Sequence, residues 1–192
     1  MPADPTSTAV HLTTTQLEEG IDDVRLSPAG VGSVELIACR PERDARNVLD
    51  EARLDPTVGL VGDMWHERAS TTSPDGGPHP DRQLTLMNVR FARLITGGDD
   101  DRVALAGDQL YVDFDLSVAN APAGTRLRVG DEAIVEFTAE PHTGCGKFSG
   151  RFGPDALRFA NGPLGSSLRL RGANTRVVRG GAIRRGDAVT KL

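Results

Sequence analysis

The segment Glu140-Pro141-His142-Thr143-Gly144-Cys145-Gly146-Lys147-Phe148 is where side chains able to do chemistry are gathered. A cysteine between two glycines does not read as a core residue, because flanking glycines let the backbone approach a ligand closely. His142 and Lys147 offer positive charge near the sulfur, which lowers a thiol pKa and favours the thiolate. Thiolate is the form that attacks an electrophile or bonds a soft metal. Cys145 is therefore the candidate nucleophile or metal ligand, with His142 and Lys147 as its activators. Arg151 and a basic stretch follow directly. The plain alternative is a turn that carries an incidental thiol.

Other chemistries fit less well. His142 and Cys145 have H-x-x-C spacing, but no second Cys or His pair stands nearby to complete a zinc site. His66 and His79 could join only through the fold. One Cys with one nearby His is weak support for a Cys–His hydrolase. There is no P-loop, dinucleotide fingerprint or G-x-S-x-G elbow. The acids of Gly97-Gly98-Asp99-Asp100-Asp101 read as a solvated turn rather than a calcium loop.

Positioning these residues needs a scaffold, and its elements are partly readable. Residues 13–19 suit a short helix with Thr13 or Thr14 as N-cap and Gly20 as the stop. Residues 34–39 read as a strand that ends at Cys39, which reads as a small core hydrophobe. Residues 41–54 carry the clearest helical pattern: Pro41 in the first turn, then Ala45, Val48, Leu49 and Ala52 on one face. A Gly/Pro-rich loop spans 69–82. Leu84, Met87, Phe91 and Leu94 recur at helical spacing, which predicts a helix over 85–95. The alternation from Leu110 to Val118 predicts the longest strand, and shorter strands follow over 126–129, 133–138, 168–170, 175–178 and 188–190. The segment 142–150 reads as a loop, and 154–160 as a short helix with Pro154 at its start and Gly162 past its end. Short strands at this spacing, with turns between them, indicate a barrel or sandwich. The expected class is mainly β (α+β) with a few short peripheral helices.

Length and composition agree. The chain has 192 residues, enough for one ordinary domain; 38% are hydrophobic and only 4% aromatic, so Val, Leu, Ala and Ile must build the core. We divide it into an N-terminal extension, 1–26, partly flexible with a possible short helix, and a domain, 27–192. Two cysteines make no disulfide scaffold. No basic n-region opens the chain and no apolar run approaches a membrane span, so a reducing, cytoplasmic location without a membrane partner is expected. The net charge of −5 argues against nucleic-acid binding. It is unevenly spread: residues 146–192 hold 10 Lys/Arg against 2 Asp/Glu, a net of +8. A basic end on an acidic chain suggests a focused anion site.

The chain also resembles a known family, the MOSC domain, named for the C-terminal domain of molybdenum-cofactor sulfurase. The resemblance rests on Ser27-Pro28, Arg40-Pro41, Gly59-Leu60-Val61-Gly62-Asp63-Met64-Trp65 and Gln83-Leu84-Thr85-Leu86-Met87-Asn88. It continues through Ala106-Gly107-Asp108-Gln109-Leu110, Asp115-Leu116-Ser117 and Pro141-His142-Thr143-Gly144-Cys145-Gly146-Lys147-Phe148. Arg151-Phe152-Gly153 and Arg171-Gly172-Ala173-Asn174 complete it. It covers the chain from about Ser27 to Leu192, as a single domain standing alone. The resemblance implies a barrel-like β fold and a cysteine, here Cys145, that holds the molybdenum of the molybdenum cofactor or carries sulfur. It implies an anionic pterin, with Arg151, Arg171, Asn174 and Arg176 as candidates for its phosphate and ring. Asp63, Asn88 and Asp108 either hold the pterin's amino edge or stabilise turns. The activity implied is a molybdenum-dependent oxidoreductase that reduces N-hydroxylated or N-oxide compounds, supplied with electrons by a separate protein. The alternative is a carrier of persulfide or cofactor. The family is also associated with pyridoxal phosphate, but neither Lys147 nor Lys191 stands in a recognisable pyridoxal motif.

Overall fold

The computed structural model describes residues 11–192 apart from 71, 72, 74 and 75. Residues 1–10 of the N-terminal extension expected over 1–26 therefore lie outside the described residues. In chain order the elements begin with α1 (Thr14–Arg25), β1 (Val31–Cys39), β2 (Asn47–Leu49), β3 (Glu51–Asp55) and β4 (Gly59–Leu60). Next come β5 (Leu84–Asn88), α2 (Val89–Ile95), a 3-10 helix (Asp100–Ala106), β6 (Leu110–Asp113), β7 (Arg126–Val129) and β8 (Ala133–Phe137). Three short helices follow, α3 (Gly146–Phe152), α4 (Pro154–Asn161) and α5 (Pro163–Leu168), then β9 (Ala173–Arg179), β10 (Gly181–Arg184) and β11 (Ala188–Lys191).

Seven strands close into a barrel in the order β1-β11-β7-β8-β9-β5-β6, and β6 pairs back onto β1. All these pairings are antiparallel except β5 with β6, which run parallel with Leu86 opposite Leu110. A parallel pair needs a crossover, and α2 with the 3-10 helix supplies it. β3, β4 and β10 form a small separate sheet.

Strand alternation sorts the apolar residues into two cores. Leu84, Leu86, Leu110, Val112, Ile37 and Cys39 point into the barrel with Val135 and Phe137. Their neighbours Met87, Tyr111 and Ala38 point outward, beneath Leu17, Phe91, Phe148, Phe152 and Leu170 of the helices and the turn before β9. The middle of the barrel wall is thus buried on both faces. This corrects the helix predicted over 85–95: β5 runs to Asn88 and only then does α2 begin. A strand buried on both sides reads as an apolar run with no period of two, so its spacing can imitate a helix.

The helix predicted over 41–54 is likewise absent. Residues 47–55 form β2 and β3 instead, with Leu49 opposite Ile37 of β1 and Ala52 opposite Ile183 of β10. Leu54 is fully buried while Val48, on the supposed apolar face, is half exposed. Pairing with distant strands outweighs the local preference. The strand expected over 168–170 is the end of α5 and a left-handed turn at Arg169. The strand expected to reach Val118 stops at Asp113, beyond which Asp115 bonds the N–H of Ser117. Seven residues of the presumed 142–150 loop and beyond are α3.

The first helix runs past Gly20 to Arg25, with Thr13 and Gln16 capping each other reciprocally. Gly20 is a contact point rather than a stop: a Cβ there would lie 2.4 Å from Leu94 Cδ1 of α2. Among the described residues, no helix is long and apolar enough to cross a membrane.

Candidate functional site

The two cysteines occupy opposite environments. Cys39 is buried at the end of β1 inside the barrel, and burial, then the Asp63 carboxylate, push its thiol pKa up. Cys145 is exposed and occupies the N-cap of α3. Its partial burial pushes the pKa up, but the amides of Phe148 and Lys147 and the charge of Arg171 outweigh this, so the net shift is downward. No amide reaches hydrogen-bond geometry with the sulfur; their orientation towards it is what favours thiolate. The helix is anchored by Phe148 and Phe152, both buried, with ring centroids 5.0 Å apart.

Arg171 reaches this helix from the turn before β9. Its guanidinium lies over the Phe148 ring at 5.1 Å. Nη1 donates to Asp108 Oδ2 at 2.5 Å and Nη2 to the Ala106 carbonyl at 3.0 Å, while Nε is sealed from solvent without a partner. Asp108 is fully buried. Its other oxygen faces His142 Nδ1 at 3.4 Å. Gly172 makes room for this junction. Its φ is +104°, and a Cβ would sit 2.6 Å from the Leu86 carbonyl and 2.9 Å from Asp108 Oδ1. The buried Tyr111 hydroxyl accepts the N–H groups of Gly107 and Asp108, which fixes the turn that presents the carboxylate.

His142 does not supply the positive charge expected of it. Burial, and the charges of Arg171, Arg40 and Arg82, push its pKa down to about 4 despite Asp108, so the ring is neutral near pH 7. Lys147 is exposed and its ammonium pairs with Asp44 rather than standing free beside the sulfur.

Two further arginines, not singled out as site residues by local sequence, meet at the same place. Arg40 is clamped by Asp63 through two bonds of 2.8 and 2.9 Å and points Nη1 at the Gly107 carbonyl. Arg46 binds only the carbonyl of its neighbour Ala45, and its Nε is buried without a partner. Burial first, then Arg40 and Arg151, make Arg46 less basic than an ordinary arginine. A Cβ on Gly107 would lie 3.7 Å from Arg46 Nη2 and 3.9 Å from Arg171 Nη2. Two of the three guanidiniums have a carboxylate and Arg46 has none. Arg40 belongs to a motif of the resemblance but was given no role there, and Arg46 carries no local signal; their meeting exists only once the 40–46 loop reaches Gly107.

The other expected residues divide. Arg151 belongs to this basic cluster, though Nη1 is held by the Leu105 carbonyl at 2.7 Å. Asn174 ties the chain before His142 in place by donating to the carbonyls of Glu140 and Pro141. Asp63 orients Arg40 and caps the 3-10 helix Met64–Glu67. Asn88 is a structural cap: it bonds Ser27, the Phe114 carbonyl and the first amides of α2. Arg176 lies apart, half exposed and paired with Glu136 and Asp81.

No family model matches the sequence, and no curated protein matches it either. Solved structures do match. The YuaD protein from Bacillus subtilis superposes with a TM-score of 0.62 at 16% identity, over 83% of this chain and 94% of that one. YiiM from Escherichia coli gives 0.52 at 18% identity, over 83% of this chain and 69% of that one. YiiM from Geobacillus stearothermophilus gives 0.52 at 13%, over 85% and 73%. The chain shares the barrel fold of these neighbours, which are MOSC-type proteins. At these identities the likeness extends to architecture alone, so any functional reading depends on the chain's own residues.

Proposed function

We propose that this chain binds the molybdenum cofactor with Cys145 as its protein ligand and serves as a molybdenum-dependent oxidoreductase for N-hydroxylated or N-oxide compounds. The observation that carries this reading is an exposed thiol, biased towards thiolate partly by Arg171, with Arg171 meeting Arg40 and Arg46 around Gly107. Thiolate suits a soft metal. Arg46, Arg40 and Arg171 around Gly107 suit a phosphate, which guanidinium groups bind well. Among the described residues, no three His, Cys, Asp or Glu side chains are grouped to hold a metal by themselves. A metal at Cys145 must therefore bring most of its own ligands, and a pterin dithiolene does so.

Bound there, the cofactor would supply two-electron oxo-transfer chemistry, with electrons from a separate protein. The chain's own residues have simpler tasks. Cys145 donates its sulfur, Arg171 holds positive charge beside it, and Asp108 with the Ala106 carbonyl keeps Arg171 from swinging out. The exposure of Cys145 also favours a second reading, a carrier that hands cofactor or persulfide to another enzyme.

Molybdenum content after expression in a cofactor-producing host tests the assignment. Cys145→Ser is expected to keep the melting temperature and lose the metal, because a serine hydroxyl stays protonated and is a poor soft-metal ligand. Cys39→Ser is expected to keep the metal and lose roughly 1–3 kcal/mol of stability from a buried, unpaired hydroxyl. Equal metal in the two variants overturns the role of Cys145. Turnover of an N-hydroxylated compound with an added electron donor separates oxidoreductase from carrier.

A further inference from the structure

A recess of about 220 Å³ opens beside the Cys145 segment, between the chain entering α3, the α4–α5 junction and the start of β9. Its apolar wall includes Val118, Ala160 and Ala173. Its polar wall is largely spent. Thr138, Asn161, Ser166, Arg169 and Asn174 all bond the protein's own backbone. Asn161 brackets Gly144, the residue before Cys145, by accepting its N–H and donating to its carbonyl. The recess and the thiol are therefore built on one stretch of chain.

Arg171 Nε is unpartnered but sealed from solvent and can only donate, which leaves His142 as the mostly buried wall residue with a nitrogen able to accept. Its Nδ1 and Asp108 Oδ1 are both sealed from solvent, face each other at 3.4 Å and have no other hydrogen-bond partner. Only a proton on Nδ1 lets the two satisfy each other; the other tautomer sets a lone pair against a carboxylate. Burial and three arginines keep the ring from taking a second proton. His142 lines the recess; with Nδ1 turned inward to Asp108, Nε2 is the nitrogen left to face a ligand, and no bond to it is made among the described residues. A bare imidazole nitrogen accepts a hydrogen bond and cannot donate one. Arg169 and Arg171 in the wall disfavour a cation.

We propose that this recess is a binding site for a small uncharged molecule bearing an O–H or N–H donor, which His142 Nε2 accepts, with Asp108 as the positioning residue that fixes the imidazole tautomer. For the function proposed above, which this deepens, the donor is the hydroxyl of an N-hydroxylated compound. His142 would then select N–OH over N–O–alkyl at the point of binding.

The test uses metal-free protein, so it stands or falls independently of molybdenum uptake. In 15N-labelled protein near pH 7, imidazole correlations assigned by loss of signal in His142→Leu should show Nδ1 protonated and Nε2 bare. An Nε2–H tautomer overturns the proposal. The probes are N-methylacetohydroxamic acid, whose hydroxyl is its one donor, and its O-methyl ester, which has neither O–H nor N–H. The acid should bind saturably, shift the Nε2 resonance and bind at least fivefold more tightly than the ester. His142→Leu should abolish that preference. Asp108→Asn should weaken acid binding and change the tautomer; if that variant fails to fold, the unmodified protein's tautomer and the probe pair still decide. Equal affinity for the two probes, or no saturable binding of either, overturns the proposal.

Discussion

A thiol's chemistry is set within a few ångströms of its sulfur, and Cys39 and Cys145 make the contrast within one chain. Burial and Asp63 raise the first, while helix-start amides and Arg171 lower the second. Iodoacetamide labelling across pH, read by peptide mass, should reach half its maximum at lower pH for Cys145 than for Cys39. Coincident profiles would contradict the assignment. The exposure of Cys145 was legible in the sequence because flanking glycines are a local signal, and so was the burial of Cys39. Its electrostatics were not: His142 is neutral and Lys147 is taken by Asp44. The effective charge is Arg171, 26 residues away in sequence, and only the fold brings it near. Arg171 was named as a cofactor residue for its basic surroundings, not for this contact.

At the scale of elements, glycines in and around the site have opposite meanings, which composition cannot separate. Gly150 lies within α3, and a Cβ there meets nothing within 4 Å. Gly150→Ala should raise stability by up to about 1 kcal/mol, the ordinary helix preference for alanine. Gly172 combines positive φ with backbone and carboxylate contacts below 3 Å. Gly172→Ala should therefore destabilise and shift Arg171 away from Asp108. Chemical-denaturant melts of both variants check the pair; equal effects of the same sign would show that the Gly172 junction is not tight. The same limit explains which elements the sequence disclosed. The strands at 126–129 and 133–138 alternate because one face of each meets the barrel core, and they were readable to within a residue. β5 was hidden by burial on both faces, β2 and β3 by pairing with distant strands, and α3 by its two glycines, Gly146 and Gly150.

Over the whole molecule, the excess of base after residue 145 looked like one anion site, and the fold disperses it. Arg176 pairs with Glu136, Arg184 with Glu51, Arg185 with Asp50 and Arg158 with Asp155, spread over the barrel, the small sheet and α4. The positive ground near Cys145 is instead assembled from both ends of the chain: Arg40 and Arg46 before the barrel's middle strands, Arg151 and Arg171 after them. Asp63 and Asp108 answer Arg40 and Arg171, while Arg46 and Arg151 have no paired carboxylate among the described residues and Arg151 is held by the Leu105 carbonyl. Charge held this close to the surface is partly screened by salt, over a Debye length of about 10 Å at 0.1 M. Retention of molybdenum on dialysis should therefore fall as salt rises. Arg46→Ala should lower retention at low salt and flatten the dependence, because its guanidinium has no carboxylate partner among the described residues. Arg176→Ala should leave both unchanged, since that charge already has two carboxylates. If the two substitutions act alike, attraction comes from the diffuse charge of the basic end, and the junction at Gly107 has no special part in it.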